Sequence, residues 1–139
     1  AIDYEYWKKG KDRKKGSFNP DFFIKQNLSN YINLLERKNS GLDLSKLRKL
    51  QENGVDFLVR VVEIKSDEED DEATPAKEDY AKRHFELLNQ KLKSNPIDVD
   101  EKYRKDFSQY YTFDLLRPVE FPFWFSNLEI GELKLKIGS

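Results

Sequence analysis

The sequence predicts an α/β domain, and three stretches carry that prediction. Residues 55–65 form the most β-branched run in the chain, nearly continuously apolar, which suits a central strand covered on both faces. Residues 75–93 place Ala81, Phe85, Leu88 and Leu92 at helical spacing, giving one apolar stripe. Residues 109–117 then return to strand composition. Strand, helix and strand in that order read as a βαβ unit, whose two strands should be parallel and whose crossover should be right-handed.

The 139 residues are enough for one domain with a real core, numbered 1–139 as a single unit. Charged residues make up 37% of the chain and hydrophobic residues another 37%, so the large rings must supply much of the core: ten Phe, seven Tyr and two Trp. The absence of Cys excludes a disulfide framework and a thiolate zinc site, and a lone His does not build an imidazole metal site. A reducing cytoplasm fits that composition. No run approaches the length of a bilayer span, and the start Ala1-Ile2-Asp3-Tyr4-Glu5 has no signal-peptide pattern, so the expectation is a soluble chain with no membrane partner. The formal net charge of −1 gives by itself no reason to expect nucleic-acid binding, which leaves the argument to how charge is distributed. Met is absent, position 1 included, and we expect a processed product or a fragment of something longer.

From the start, Ile2, Tyr4 and Tyr6 alternate with Asp3, Glu5 and Trp7 in a half-buried strand pattern. Gly10 and Gly16 bracket Lys11-Asp12-Arg13-Lys14-Lys15, and an apolar run restarts at Phe18 to Ile24, which predicts two antiparallel strands joined by a basic loop. That tip reads either as a solvated turn or as a phosphate-gripping hairpin in which Lys11, Arg13, Lys14 and Lys15 contact DNA. Leu28, Tyr31, Ile32 and Leu35 stand at helical spacing, and Leu44, Leu47 and Leu50 lie on a second short helix ended by Asn53-Gly54. These leucines read as core, with partner docking as the other use of such a face.

After the central strand the chain switches abruptly to acid: Asp67, Glu68, Glu69, Asp70, Asp71 and Glu72 follow one another. Mutual repulsion favours a solvated, extended loop, and a second metal site is the other reading. Thr74 and Pro75 suit an N-cap and first helical position, with Lys77, Lys82, Arg83, Lys91 and Lys93 on the remaining faces of the helix and Asn95-Pro96 at its end. His84 beside the stripe reads as a structural histidine. Residues 97–108 look like a polar connector anchored by Tyr103 and Phe107. Phe121, Phe123, Trp124 and Phe125 form the densest aromatic cluster, read as core in preference to base stacking, and Leu133, Leu135 and Ile137 alternate with lysines as a final short strand.

Two strand-like runs carry an ionisable residue where a hydrophobe is expected. They are Asn19-Pro20-Asp21-Phe22-Phe23-Ile24 and Val61-Val62-Glu63-Ile64-Lys65. Alternation along a strand projects Glu63 and Lys65 to one side. With Asp21 on a neighbouring strand, the two carboxylates can hold a hard divalent cation while Lys65 faces the ion and its bound anion. Such a set cuts phosphodiesters.

Here the sequence resembles the PD-(D/E)XK nuclease superfamily, with Pro20-Asp21 as the first half of its motif and Glu63-Ile64-Lys65 as the second. Over roughly residues 16–118 it is similar to the nuclease domain at the carboxyl end of type III restriction (Res) subunits and related DEAD/DEAH-box helicases, through Gly16 to Ile24, Val62 to Glu69, Ala76-Lys77 and Tyr80 to Asn89. The resemblance implies a restriction-endonuclease-like central mixed β-sheet flanked by helices. Residues 28–53 would then be a helical insertion between the motif strands, a departure from the simplest members. It implies a Mg²⁺-dependent deoxyribonuclease, with Mn²⁺ able to substitute, acting on double-stranded DNA in a restriction or anti-phage system. The implied partners are a helicase (ATPase) motor in the same chain or complex and a modification (methyltransferase) subunit.

In that reading Asp21 and Glu63 ligate metal, with the backbone carbonyl of Ile64 as a further ligand, and Lys65 orients the attacking water or stabilises charge on the scissile phosphate. A third carboxylate, present in many relatives, falls to Glu5 and next to Asp3. The alternative is a catalytically silent module that keeps the fold for DNA binding or partner docking, which the acidic row favours. A domain with chance motif matches would scatter Asp21, Glu63 and Lys65 in space.

Overall fold

The computed structural model describes residues 2–8, 12–38, 43–65, 72–94 and 108–130. Lys11, the acids Asp67 to Asp71, the connector anchors Tyr103 and Phe107 and the run 133–137 lie outside the described residues. The described chain is a mixed α/β structure with strands β1 (Ile2–Lys8), β2 (Asp12–Phe18), β3 (Phe22–Asn27), β4 (Phe57–Ile64) and β5 (Gln109–Leu116). Its helices are α1 (Leu28–Lys38), α2 (Ser45–Glu52), α3 (Ala73–Ser94) and α4 (Phe121–Ile130). No helix among the described residues is long and apolar enough to cross a membrane.

The β-branched run forms β4, the middle strand of a three-stranded sheet ordered β3-β4-β5. It pairs antiparallel with β3 and parallel with β5, as expected for the strands flanking a crossover helix. Alternate residues of β4 feed opposite layers. Val59 and Val61 pack with Ala81 and Phe85 of α3, whereas Leu58 joins Leu28, Tyr31, Ile32, Leu35 and Leu47 of α1 and α2. Val62, on the α1 side of the sheet, packs against Leu116 and Trp124. Helices therefore cover both faces of β4, which explains why its sequence shows no polar alternation.

The α3 stripe stands as the spacing predicts, with Phe85 stacked on the rings of Tyr111 and Phe113. Burying one such ring contributes about 1.5–3 kcal/mol. Helix α3 begins at Ala73, so Thr74 and Pro75 lie within its first turn instead of capping it; proline is tolerated there because that amide has no helical partner. Further along, the side chain of Asn89 closes the outer edge of β5. Its amide nitrogen donates to the Tyr111 carbonyl and its oxygen accepts from the Tyr111 N–H, both at 2.8 Å. The outward N–H and carbonyl of Tyr111, on an edge strand, are thereby satisfied within the molecule.

The expected hairpin needs correction. Residues 2–8 pair with Asp12–Phe18, so Arg13, Lys14 and Lys15 lie on a strand and not in its connecting loop. Phe22–Asn27 belongs to the other sheet. Cross-strand charge pairs accompany this register: Glu5 stands opposite Lys15, and its carboxylate bonds Arg13 and lies 3.6 Å from the Lys15 ammonium. Gly16 stands opposite Tyr4, whose hydroxyl oxygen would lie 2.5 Å from any Cβ placed there. Only glycine lets that ring lie against the strand and meet Phe18.

The aromatic run 121–125 forms part of α4 and only partly serves the core. Trp124 is buried and Phe121 stacks on Phe22 at 5.4 Å, while Phe123 and Phe125 are exposed. His84 is exposed and meets the ring of Phe85 edge-on.

Candidate active site

The C-terminal end of β4 meets the N-terminal end of β3. The first paired residues are Phe22 and Val62, so Asp21 stands one step earlier, at the level of Glu63. The Asp21 carboxylate Oδ2 accepts the Ile64 N–H at 2.8 Å, replacing a main-chain acceptor where β3 has not yet begun. Thus Ile64 engages Asp21 through its N–H. Lys65 follows directly, with its N–H donating to the Leu116 carbonyl at 2.7 Å, and its side chain is half-buried.

Glu63 is 7% exposed, in line with Val59 and Val61. What faces it is Lys77 of α3, whose Nζ lies 3.9 Å from Glu63 Oε2. The same ammonium lies over the rings of Phe18 and Tyr4, at 5.2 and 5.6 Å from their centroids. The counter-charge offsets the desolvation of a carboxylate that the apolar layer would otherwise oppose.

Sequence reasoning missed Lys77 as a site residue. The signal was available: Lys77 precedes Ala81 by four residues, as Ala81 precedes Phe85, so it extends the inward stripe by one turn. It also missed Arg60, 1% exposed on the opposite face of β4. Arg60 Nε donates to Gln26 Oε1 at 2.8 Å and its guanidinium lies over the Tyr31 ring. Burial lowers the Arg60 pKa from its ordinary value, partly opposed by Tyr31 and Asp114.

Of the predicted residues, the structure brings Asp21, Glu63, Ile64 and Lys65 to one strand end. Glu5 sits on β1 in its pairs with Arg13 and Lys15, and neither it nor Asp3 completes a three-residue acidic, His or Cys cluster among the described residues. The cations Arg13, Lys14 and Lys15 are exposed on β2. Comparison of the chain with protein-family models, curated proteins and solved structures returns no match in any of the three.

Proposed function

We propose that the domain is a metal-dependent DNA endonuclease of restriction-endonuclease-like fold, and the observation that carries this reading is the Asp21 contact with Ile64 N–H beside Glu63. It draws two motifs separated by some forty residues to one strand end, where chance matches would have no reason to meet. The donor set fits a hard cation. Asp21 and Glu63 offer carboxylate oxygens, the ligands Mg²⁺ and Mn²⁺ prefer.

In this mechanism Asp21 and Glu63 hold the ion, and the Ile64 amide orients Asp21. A bound divalent cation supplies Lewis-acid polarisation of the phosphoryl group and a more acidic water. Lys65 lies two residues beyond Glu63, on the same side by strand alternation. There it would orient the attacking water or offset negative charge developing on the phosphate. Arg13, Lys14 and Lys15 would contact DNA phosphates without reading sequence. Attachment to a helicase motor and association with a methyltransferase subunit follow from the resemblance alone, and cytoplasmic residence from the absence of Cys.

A second reading has its own observation. Lys77 already neutralises Glu63, which a silent docking module would need for stability and nothing more. Nicking of supercoiled plasmid in Mg²⁺ or Mn²⁺ separates the two readings. The nuclease reading expects cleavage by the wild-type chain and its loss in Glu63→Gln and Lys65→Ala. No nicking by the wild-type chain in either ion would instead support the docking module, and nicking unaffected by both substitutions would refute the roles of Glu63 and Lys65.

A further inference from the structure

We infer that Lys77 is a tethered competitor for the metal site: its ammonium holds Glu63 when no divalent cation is bound and yields that carboxylate when one binds. This rests on the nuclease reading above and assigns a role to a residue other than Asp21, Glu63 and Lys65.

Three observations carry it. Lys77 Nζ and Glu63 Oε2 are 3.9 Å apart, too far for a directional hydrogen bond, so the contact is loose and electrostatic. Both side chains are largely withdrawn from solvent, at 13% and 10% exposure, so the attraction is little screened. Finally, the ammonium lies over the faces of Phe18 and Tyr4, two rings that can retain the cation after Glu63 is given up. Lys77 is thus held at its present position by the two rings as well as by Glu63, so it need not leave the site when that carboxylate turns to a metal.

A positive charge beside a metal-binding carboxylate opposes a second cation there. A unit charge within 4–6 Å shifts the occupancy of an ionisable site by roughly tenfold or more. Lys77→Met keeps the apolar stem against the two rings and removes the charge. The expected result is Mn²⁺ binding tightened by about tenfold or more relative to wild type, read from the free-ion paramagnetic resonance signal on the full chain. Lys77→Arg keeps the charge and is expected to bind Mn²⁺ no tighter than wild type. Should Lys77→Met fail to fold, Lys77→Gln gives the same comparison with a polar, uncharged side chain.

A structural role alone predicts unchanged or weaker Mn²⁺ binding in the neutral variants, because Glu63 would lose its orientation. That result, with wild-type protein that binds Mn²⁺ and nicks DNA, overturns the role of Lys77 and leaves the nuclease reading standing. Absence of both Mn²⁺ binding and nicking in wild type and neutral variants overturns the two together.

Discussion

Asp21→Asn and Asp21→Ala remove the same negative charge from the end of β4 but differ in what they leave for the Ile64 amide. The Asn side chain keeps an oxygen that can accept the N–H now bonded at 2.8 Å, while Ala leaves that donor to water. A hydrogen bond to a charged group contributes about 1.5–3 kcal/mol, and the exposure of Asp21 brings the expected cost of Asp21→Ala down to about 1 kcal/mol. Asp21→Asn should cost only a few tenths of that. Metal binding should order the variants differently: each lacks the anionic oxygen, so both should lose Mn²⁺ affinity. Cleavage should fall in both by on the order of a hundredfold or more, the scale of deleting one preorganised electrostatic contact. Urea unfolding midpoints, Mn²⁺ calorimetry and plasmid nicking on the same preparations measure the three quantities. Wild-type cleavage by Asp21→Asn would refute its role at the metal, and equal stability of the two variants would refute its role in closing the strand end.

Asn89→Ala should destabilise the fold by about 1–3 kcal/mol, since the Tyr111 N–H and carbonyl each lose a partner, and urea denaturation checks it. Gly16→Ala should cost about 1–3 kcal/mol by forcing the Tyr4 ring off its present place, a loss that Tyr4→Leu in the same chain should partly restore. Asp43 accepts the Ser45 N–H at the start of α2, and that bond holds its carboxyl below the ordinary aspartate value. Its contribution is therefore complete above the unfolded value of about 3.9 and lost as pH falls through the lower folded value; Asp43→Asn should flatten the acid limb of stability against pH, with carboxyl NMR locating the titration.

How much of this was legible depended on whether a residue's partners are close in sequence. The stripe of α3 and the β-branched run of β4 are periodic signals, and tertiary packing reinforces them. In isolation Arg13, Lys14 and Lys15 have the composition of a solvated loop. Their strand register becomes intelligible only once Glu5 lies across from Lys15, a pairing between chain segments that no window of composition contains. For the same reason composition does not reveal that Phe22 to Ile24 pairs with β4 and not with the first strand. Its apolar character says strand, but Val62, Val61 and Arg60 are what select the sheet.

The two charged residues of β4 sharpen the point. Arg60 and Glu63 are both almost fully buried and lie on opposite faces of one strand, and composition alone ranks them as equal anomalies. Their surroundings divide them. Arg60 sits mid-strand, with its Nε donating to Gln26 of the adjacent strand and the Tyr31 ring and the charge of Asp114 beside it, although its Nη2 is buried without a hydrogen-bond partner among the described residues. Glu63 faces the Lys77 ammonium at 3.9 Å and stands one residue from the strand end, level with an exposed Asp21. A charge held in mid-sheet by partners on two neighbouring strands and a helix is poorly placed to exchange them for a ligand. A charge at a strand end, loosely paired and beside a second carboxylate that solvent reaches, is placed to do so. Position within the strand therefore separates a structural buried charge from a chemical one, and it is why the candidate site is built on Glu63 and not on Arg60.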